Sequence, residues 1–243
     1  MKYDVIIVGA GPGGIYSAYE LMKKCSDKKI AVFDSGYSLK KRHCPIDGEK
    51  VKACIKCKSC SIMSGFGGAG AFSDGKYNIT NDFGGTLYEY IGKKAATELM
   101  QYVDEINMDH GGEGTKMYST AGTNLKKVCL QNRLKLLNAS VRHLGTDINL
   151  VVLGQLYDEL KEHVDFYFES PVSHIECLEN GGYRVWSNDQ SYDCGKCIVS
   201  VGRSGSKWMS KVCEDMKIPT MSNRVDLGVR VEIPSQIFSH LTD

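Results

Sequence analysis

A glycine motif that directly follows a short apolar run limits the fold of this chain more than any other feature. Residues 5–8 are apolar and mostly β-branched, as in a buried parallel strand, and Gly9, Gly11 and Gly14 follow in a G-x-G-x-x-G pattern. The pattern predicts a tight turn from strand to helix, in which Gly11 lets a pyrophosphate approach the backbone and Gly14 lets the helix pack on the sheet. We therefore expect a Rossmann-like α/β domain that binds a dinucleotide, FAD or NAD(P).

The elements after the motif agree with this prediction. A helix is expected over residues 12–24, and its first turn, with Pro12 and Gly13, would direct free N–H groups at phosphates. A second apolar strand, residues 30–33, ends at Asp34, which lies 20 positions after Gly14, where a ribose-binding carboxylate is expected. Asp34 and its neighbour Ser35 are therefore predicted cofactor contacts. An acid here favours a free ribose 2′-hydroxyl, so FAD or NAD fits better than NADP.

Composition narrows the class of protein. The 243 residues are 42% hydrophobic and 24% charged, which is ordinary for a globular protein of one large or two small domains. The formal net charge is +1 and no long basic run occurs, so nucleic acid is not an expected partner, and the cluster at residues 40–42 is expected to be a solvated loop. No apolar stretch approaches the ~20 residues of a membrane span. Since no signal-peptide pattern opens the chain, we expect a cytoplasmic protein without a membrane partner.

A Cys- and Gly-rich insertion is predicted at residues 35–83. In it Cys54, Cys57 and Cys60 recur at every third residue, and Cys44 supplies a fourth thiol. This spacing is typical of the cysteine ligands of a [4Fe–4S] cluster. Four thiolates could equally hold a Zn²⁺ ion. The C-x-x-C spacing also suits a disulfide that exchanges electrons with a flavin. A cysteine-rich segment without a ligand role is the fourth interpretation, and all four stay open. The separate pair Cys194-x-x-Cys197 is expected to be structural.

A second run of glycines lies in the same insertion. Gly65, Gly67 and Gly70 repeat the G-x-G-x-x-G spacing, but no strand precedes them and no βαβ unit follows. We therefore predict a loop whose N–H groups lie against the phosphates or the ring of the cofactor, and not a second dinucleotide site. A flexible surface loop is the alternative. The loop residues predicted to contact the cofactor are Gly67, Gly68, Ala69, Gly70 and Ser73.

The sequence after the insertion predicts helices, a β-meander and a further helix and strand. Helices are expected at residues 84–108, 147–164 and 206–216, the first with an apolar stripe through Leu87 and Leu99. A turn at residues 180–182 predicts a hairpin. The expected strands are 166–168, 172–178, 183–187, 191–194, 197–201 and 225–233. We assign residues 1–218 to the dinucleotide-binding domain and residues 219–243 to the beginning of a β-rich substrate domain.

Several segments together resemble a known family. The N-terminal motif, Asp34 and the meander are similar to the FAD-binding domain of glutathione-reductase-type flavoproteins. More narrowly, the chain resembles the uncharacterised FAD-dependent dehydrogenases of bacteria and archaea. The segments that carry this resemblance are Arg42-x-Cys44-Pro45, the Cys54/Cys57/Cys60 run, G-G-A-G-A-F-S-D-G-K at residues 67–76, Gly-Thr-Asp at 145–147, Val-Gly-Arg-Ser at 201–204 and Leu-Gly-Val-Arg-Val-Glu at 227–232.

The resemblance implies how a cofactor would lie. FAD would be extended, with the first glycine motif at the pyrophosphate and Asp34 at the adenosine ribose. The backbone at Val172 would meet the adenine, and Gly202 would lie near the cofactor at the end of the last sheet strand. Members of the family continue beyond this length and return to the FAD domain, so the resemblance also predicts that this chain is an N-terminal portion.

These predictions indicate an FAD-dependent oxidoreductase that transfers a hydride between flavin and an organic substrate. The cysteine cluster would either pass electrons as a relay or brace the loop beside the flavin. Its partners would be a small-molecule substrate and a redox protein or NAD(P)H. An NAD(P)H-linked disulfide reductase is an alternative, although the sequence has no second nucleotide motif. A non-catalytic flavin- or metal-binding module is another. An FAD-dependent modifier of RNA is disfavoured by the nearly neutral charge.

Overall fold

The computed structural model describes residues 1–179, 181–222, 227–229 and 231–242. The strands are, in chain order, β1 (Lys2–Val8), β2 (Ile30–Phe33), β3 (Lys76–Ile79), β4 (Met117–Ser119), β5 (Ser140–His143), β6 (Val164–Tyr167), β7 (Val172–Cys177), β8 (Tyr183–Ser187) and β9 (Gln190–Val199). The α-helices are α1 (Pro12–Lys24), α2 (Tyr88–Ile91), α3 (Lys93–Asn107), α4 (Leu125–Gln131), α5 (Gly145–Leu160), α6 (Ser206–Asp215) and α7 (Ser235–Thr242). A 3₁₀ turn spans Gly68–Gly70.

A six-stranded sheet with the order β6-β2-β1-β9-β8-β7 carries the core. β6, β2, β1 and β9 are parallel, and β8 and β7 continue the sheet as an antiparallel meander. In the register, Val5 of β1 lies between Ile30 of β2 and Lys196 of β9. The predicted Rossmann-like α/β fold with a parallel sheet and a meander is confirmed.

The last sheet strand differs from the prediction. Two strands, 191–194 and 197–201, were expected, and the structure has the single strand β9, whose two edges pair with β8 and with β1. Gly195 lies within it, where a Cβ atom would approach the Asp4 carbonyl oxygen to 3.2 Å. The hydrogen bond with Cys194, together with burial, raises the pKa of the Cys197 thiol. Cys194 and Cys197 both lie within β9, so the pair belongs to the sheet, as its structural interpretation predicted.

Each face of the sheet is covered by its own apolar cluster. Against one face, α1 contributes Ile15 and α5 contributes Val152, Leu156 and Leu160. The other face carries a second buried cluster, drawn from the sheet's own strands: Tyr3, Ile6, Val8, Phe33, Val185 and Tyr192. Leu153, Leu156 and Leu160 of α5 are buried.

The segment after the cysteines folds differently from its prediction. Gly92, at φ +81°, divides the expected helix 84–108 into α2 and α3. The predicted apolar stripe is wrong, because Leu87 is 43% exposed and Leu99 is 45% exposed, whereas Ala96 and Ile106 are buried. A helix has 3.6 residues per turn, so a strict step of four drifts by about 40° each time and leaves the buried face.

A small antiparallel sheet was not predicted. Its order is β3-β5-β4, and its register pairs Asn78 with Val141 and Tyr118 with Val141 from the other side. The strands have only three or four residues each, which is too short for a periodic pattern to stand out in the sequence. The sheet closes over α3 and positions β3 beside α5.

Two predictions fall partly on residues outside the described ranges. The hairpin between β7 and β8 is present, with Gly181 and Gly182 at positive φ, and Asn180 of its turn is not described. The predicted strand 225–233 lies partly outside the described residues, and its described parts, 227–229 and 231–233, are not strand. The boundary at residues 218/219 stays a prediction. Among the described residues, no helix combines the length and apolar character of a membrane span.

Glu159 ties α5 to α1 and to the end of α3. Its carboxylate lies 2.7 Å from His110 Nε2 and 3.0 Å from Lys23 Nζ, and His110 Nδ1 lies 2.6 Å from the Ile106 carbonyl oxygen. Burial acts to raise the pKa of Glu159, but the hydrogen bonds with His110 and Lys23 outweigh it, so that the pKa lies below its ordinary value.

Glu159→Gln should make the free energy of unfolding less dependent on pH in the acidic range. A carboxyl whose pKa is lowered by folding stabilises the protein above its unfolded pKa of about 4.3, and that stabilisation disappears as the pH falls through the folded pKa. We expect the wild type to be more stable than Glu159→Gln above about pH 5, with the difference shrinking on acidification. Urea unfolding across a pH series measures it. The exposed Glu162→Gln is the control, and an equal acid response in both variants would contradict the assignment.

Gly14→Ala should destabilise the fold strongly. A Cβ atom at Gly14 would lie 1.9 Å from the Gly9 carbonyl oxygen, so the strand-to-helix turn must shift. We expect a loss of at least about 2 kcal/mol in the free energy of unfolding, measured by urea denaturation. The matched control is Gly154→Ala in α5, whose Cβ meets nothing within 4 Å. That change should stabilise by up to about 1 kcal/mol, and similar losses in both variants would rule out the steric explanation.

Candidate functional site

The turn from β1 into α1 is packed backbone to backbone against the end of β9. Gly9 has φ +105°, and a Cβ atom there would lie 2.7 Å from the Ser200 carbonyl oxygen. The hydroxyl of Ser200 donates to the Gly9 carbonyl oxygen at 3.1 Å. Gly13 also faces Ser200, since its Cβ would come within 3.2 Å of the serine Cβ. Ser200 was not predicted as a site residue, because one serine after an apolar strand carries no distinctive signal.

The N-terminus of α1 is open to an anion. The helix begins at Pro12, has no side-chain cap and has no acidic residue in its first turn. The Ile15 N–H donates to the Gly11 carbonyl oxygen at 2.9 Å, so the amides of Gly13 and Gly14 precede the regular helical hydrogen bonds. Pro12 and Gly13 are exposed. Free N–H groups and the positive end of the helix dipole favour a phosphate here.

Asp34 lies at the end of β2, where the sequence placed it. The half-buried carboxylate accepts the Ala10 N–H on Oδ2 at 2.8 Å and the Gly36 N–H on Oδ1 at 2.7 Å. Each carboxylate oxygen has two lone pairs, so each can accept one further hydrogen bond, such as one from a hydroxyl. Ser35 is exposed beside it. The ribose contact of both residues stays a prediction.

The second glycine segment, residues 65–70, packs directly on the first. The Gly67 N–H donates to the Ala10 carbonyl oxygen at 2.8 Å, and a Cβ atom at Gly68 would lie 3.1 Å from the Gly11 Cα. Phe66 and Ala71, on either side of the turn, are fully buried. The segment is therefore held in the core at both ends, which a flexible surface loop would not be.

Asn149 of α5 fixes the far end of this segment. Its amide donates to the Gly70 and Ala71 carbonyl oxygens at 3.0 and 3.2 Å, and the side chain is buried. Ala69, Gly70 and Ser73 are exposed at the surface of the loop. Asn149 was missed because its partners lie nearly eighty positions earlier, and no local pattern marks such a contact.

The two remaining predicted residues come to the same region. Gly202 follows β9 shortly after Ser200, whose N–H donates to the Val8 carbonyl oxygen at 2.8 Å. Val172 begins β7, two positions after Ser170, and the Ser170 N–H donates to the Asp34 carbonyl oxygen at 2.9 Å. Neither residue has a side chain that specifies a ligand, so both would act through the backbone.

Arg42 corrects the expectation of a solvated basic loop. It is only 5% exposed, and its guanidinium donates to the carbonyl oxygens of Phe66, Ser61 and Ile62 at 2.6, 2.8 and 2.8 Å. The group also lies 4.9 Å from the ring centre of Phe72. Burial lowers the pKa of Arg42, and Asp34 acts in the opposite direction. Arg42 thus anchors the peptide directly before Gly67.

The predicted metal ligands are not gathered into a site. Cys54, Cys57 and Cys60 are exposed and Cys44 is half-buried. Within the described part of the chain, no group of three or more His, Cys, Asp or Glu side chains is placed to hold a metal ion. A tetrahedral site needs four such groups around one point, so these thiols, as they lie, do not fit an iron–sulfur cluster or Zn²⁺.

Comparison with known proteins identifies the fold but not a family. No protein-family model matches the chain. A protein of Clostridium beijerinckii, described only as uncharacterized, is 21% identical over 241 residues, which are 98% of this chain and 38% of the relative. The chain thus spans about two fifths of the length of that protein.

Solved structures with the same fold are enzymes of several kinds. Glycine oxidase from Geobacillus kaustophilus matches with a TM-score of 0.50 and 15% identity, over 90% of this chain and 59% of that one. L-α-glycerophosphate oxidase from Mycoplasma pneumoniae, with FAD bound, matches with a TM-score of 0.47 and 15% identity, over 87% of this chain and 57% of that one. At these identities the likeness concerns the fold alone.

Arg42→Lys should loosen the second glycine segment. A lysine ammonium lacks the planar fork that reaches three carbonyl oxygens, so buried acceptors would lose their partners. We expect a loss of about 2 kcal/mol or more in the free energy of unfolding and faster proteolysis within residues 35–83. The neighbouring Lys40 is exposed, and Lys40→Ala is the control. Equal stability of wild type and Arg42→Lys would show that the three hydrogen bonds are not structural.

Proposed function

We propose that the chain is the FAD-binding part of an FAD-dependent oxidoreductase that acts on a small organic molecule. The observation that carries the proposal is the packing of the two glycine segments at the end of β1, through the hydrogen bond from Gly67 to Ala10 and the contact of Gly68 with Gly11. A single glycine turn suits any dinucleotide. The second segment adds the exposed backbone of Ala69 and Gly70 beside it, which suits an extended cofactor with a large ring system.

Each predicted contact has a physical role in this proposal. The first turn of α1 binds the pyrophosphate through the free N–H groups of Gly13 and Gly14, with Gly11 and Pro12 packed beside it. Asp34 accepts hydrogen bonds from the adenosine ribose and disfavours a 2′-phosphate, which supports FAD over NADP. The predicted contacts near the phosphates and the flavin are Gly67, Gly68, Ala69, Gly70, Ser73 and Gly202, and the predicted adenine contact is the backbone of Val172.

The cofactor would supply hydride transfer, and the chain's own residues supply binding and orientation. Asn149 and Arg42 hold the second glycine segment in place from opposite ends. A small-molecule substrate and an electron acceptor, either a redox protein or NAD(P)H, would complete the reaction. The resemblance of residues 67–76 to FAD-dependent dehydrogenases supports FAD, and the cysteines take no part in this proposal.

Gly11→Ala should weaken FAD binding and leave the fold intact. Gly11 has φ −78°, which alanine adopts freely, and its Cβ would lie at an ordinary 3.8 Å from the Gly68 Cα. The added methyl group would obstruct the approach of the pyrophosphate. We expect FAD affinity to fall at least about tenfold, or 1.4 kcal/mol, with little change in thermal stability. Quenching of flavin fluorescence during titration measures it.

Gly154→Ala is the matched control, since it adds the same methyl group on α5 and should bind FAD as the wild type does. Absence of saturable FAD binding by the wild type would overturn the proposed function. Equal FAD affinity of Gly11→Ala and the wild type would overturn the assigned pyrophosphate contact.

A further inference from the structure

A cavity of about 160 Å³ lies next to the proposed cofactor site. Its wall includes Pro12 of α1 and Gly67 and Gly70 of the second glycine segment, so the two sites share residues. A Cβ atom at Gly70 would meet nothing within 4 Å, which leaves this part of the wall open. Further lining residues come from β3 and α5. We call this space the tyrosine cavity, after Tyr16 and Tyr77 in its lining.

The polar lining of the tyrosine cavity is held by hydrogen bonds. The Tyr16 hydroxyl donates to Asn107 Oδ1, and the Tyr77 hydroxyl donates to Asn149 Oδ1 at 3.2 Å. Both amide hydrogens of Asn149 are committed to backbone carbonyl oxygens. Burial raises the pKa of Tyr16 and of Tyr77, so both phenols are neutral.

The hydrogen bonds of the two tyrosines determine which chemical group a ligand must bring to the cavity. Each phenol already donates its one hydrogen, and the two hydroxyl groups also interact with each other, so the Tyr77 oxygen is left with one lone pair that can accept. A ligand that reaches this oxygen must therefore bring a hydrogen-bond donor. A protonated amine is disfavoured, because Lys76 in the lining is itself a cation and no carboxylate belongs to the lining to pair with a second one. A hydroxyl group fits best.

The remaining lining defines the rest of the ligand. Ile15 and Leu153 are apolar and buried, which suits a short carbon skeleton. Lys76 also lines the cavity, in an exposed ion pair with Asp74 at 2.9 Å. Its ammonium has three donors, so it can bind a further anionic oxygen. An engineered cavity of about 150 Å³ accepts benzene, so this one accepts roughly six to eight non-hydrogen atoms.

We infer that the tyrosine cavity binds a small hydroxy acid, with its hydroxyl donating to the phenolic oxygen of Tyr77 and its carboxylate at Lys76. Its role as the substrate pocket rests on the proposed function, because the cavity shares Pro12, Gly67 and Gly70 with the cofactor site. Oxidation there would convert the hydroxy acid to an oxo acid, in that a bound flavin would take up the hydride of the alcohol carbon and the hydroxyl proton would leave to water.

The test titrates the full chain, without added FAD, with lactate, propionate and alanine in separate calorimetric experiments. Lactate should bind saturably, and propionate, which lacks the hydroxyl, should bind at least about tenfold more weakly. Tyr77→Phe should remove most of the difference between these two acids. Tyr102→Phe is the matched control, since Tyr102 bonds Glu20 outside this lining, and it should bind lactate as the wild type does.

Lys76→Gln is a second variant at an exposed position where folding is not at risk, and it should weaken lactate and propionate alike. Thermal unfolding of every variant checks that the fold is kept. Equal binding of lactate and propionate, binding of alanine as tight as that of lactate, or no binding of lactate would each overturn the inference.

The flavin titration on the same samples separates the two proposals. FAD binding without lactate binding would overturn this inference and leave the proposed function standing. Lactate binding without FAD binding would support the hydroxy-acid site and overturn both the proposed function and the role of the cavity as its substrate pocket.

Discussion

The carboxylate of Asp34 connects the loops on which the candidate site is built. One oxygen holds the peptide of Ala10 and the other holds that of Gly36. The carbonyl of the Ala10 residue in turn accepts the N–H of Gly67, so a short series of hydrogen bonds runs from β2 through the first turn to the second glycine segment. Hydrogen bonds to a carboxylate are stronger than neutral ones. The turn from β1 into α1 and the second glycine segment are both held by this arrangement.

The first half of the main sheet could be predicted because its constraints are local. A strand, a glycine turn, a helix and a second strand that ends in an acid are short-range patterns, and the observed β2 and α1 have the predicted limits. The small sheet could not be predicted, since its strands are too short to show alternation. The helix predicted at residues 84–108 is interrupted at Gly92, which has a positive φ of 81° and ends the helical hydrogen bonding there.

Some residues of the candidate site could be predicted from the sequence and others could not. The glycines and Asp34 could be found because spacing along the chain determines their geometry. Arg42, Asn149 and Ser200 could not, since each acts on backbone groups that are distant in sequence, and a buried arginine looks the same in a sequence as a solvated one. The cysteine spacing predicted ligands, but spacing alone cannot tell whether the surrounding loop brings the thiols together.

The strand β9 joins the two parts of the main sheet. β9 pairs with β1 along one edge and with β8 along the other, so the meander and the parallel strands share a single run of ten residues. Release of β9 from the sheet would therefore expose its own amides and remove the neighbour of β1 and of β8 at the same time. Hydrogen exchange of β1 and β9 should then follow one cooperative opening, which makes this part of the domain a single unfolding unit.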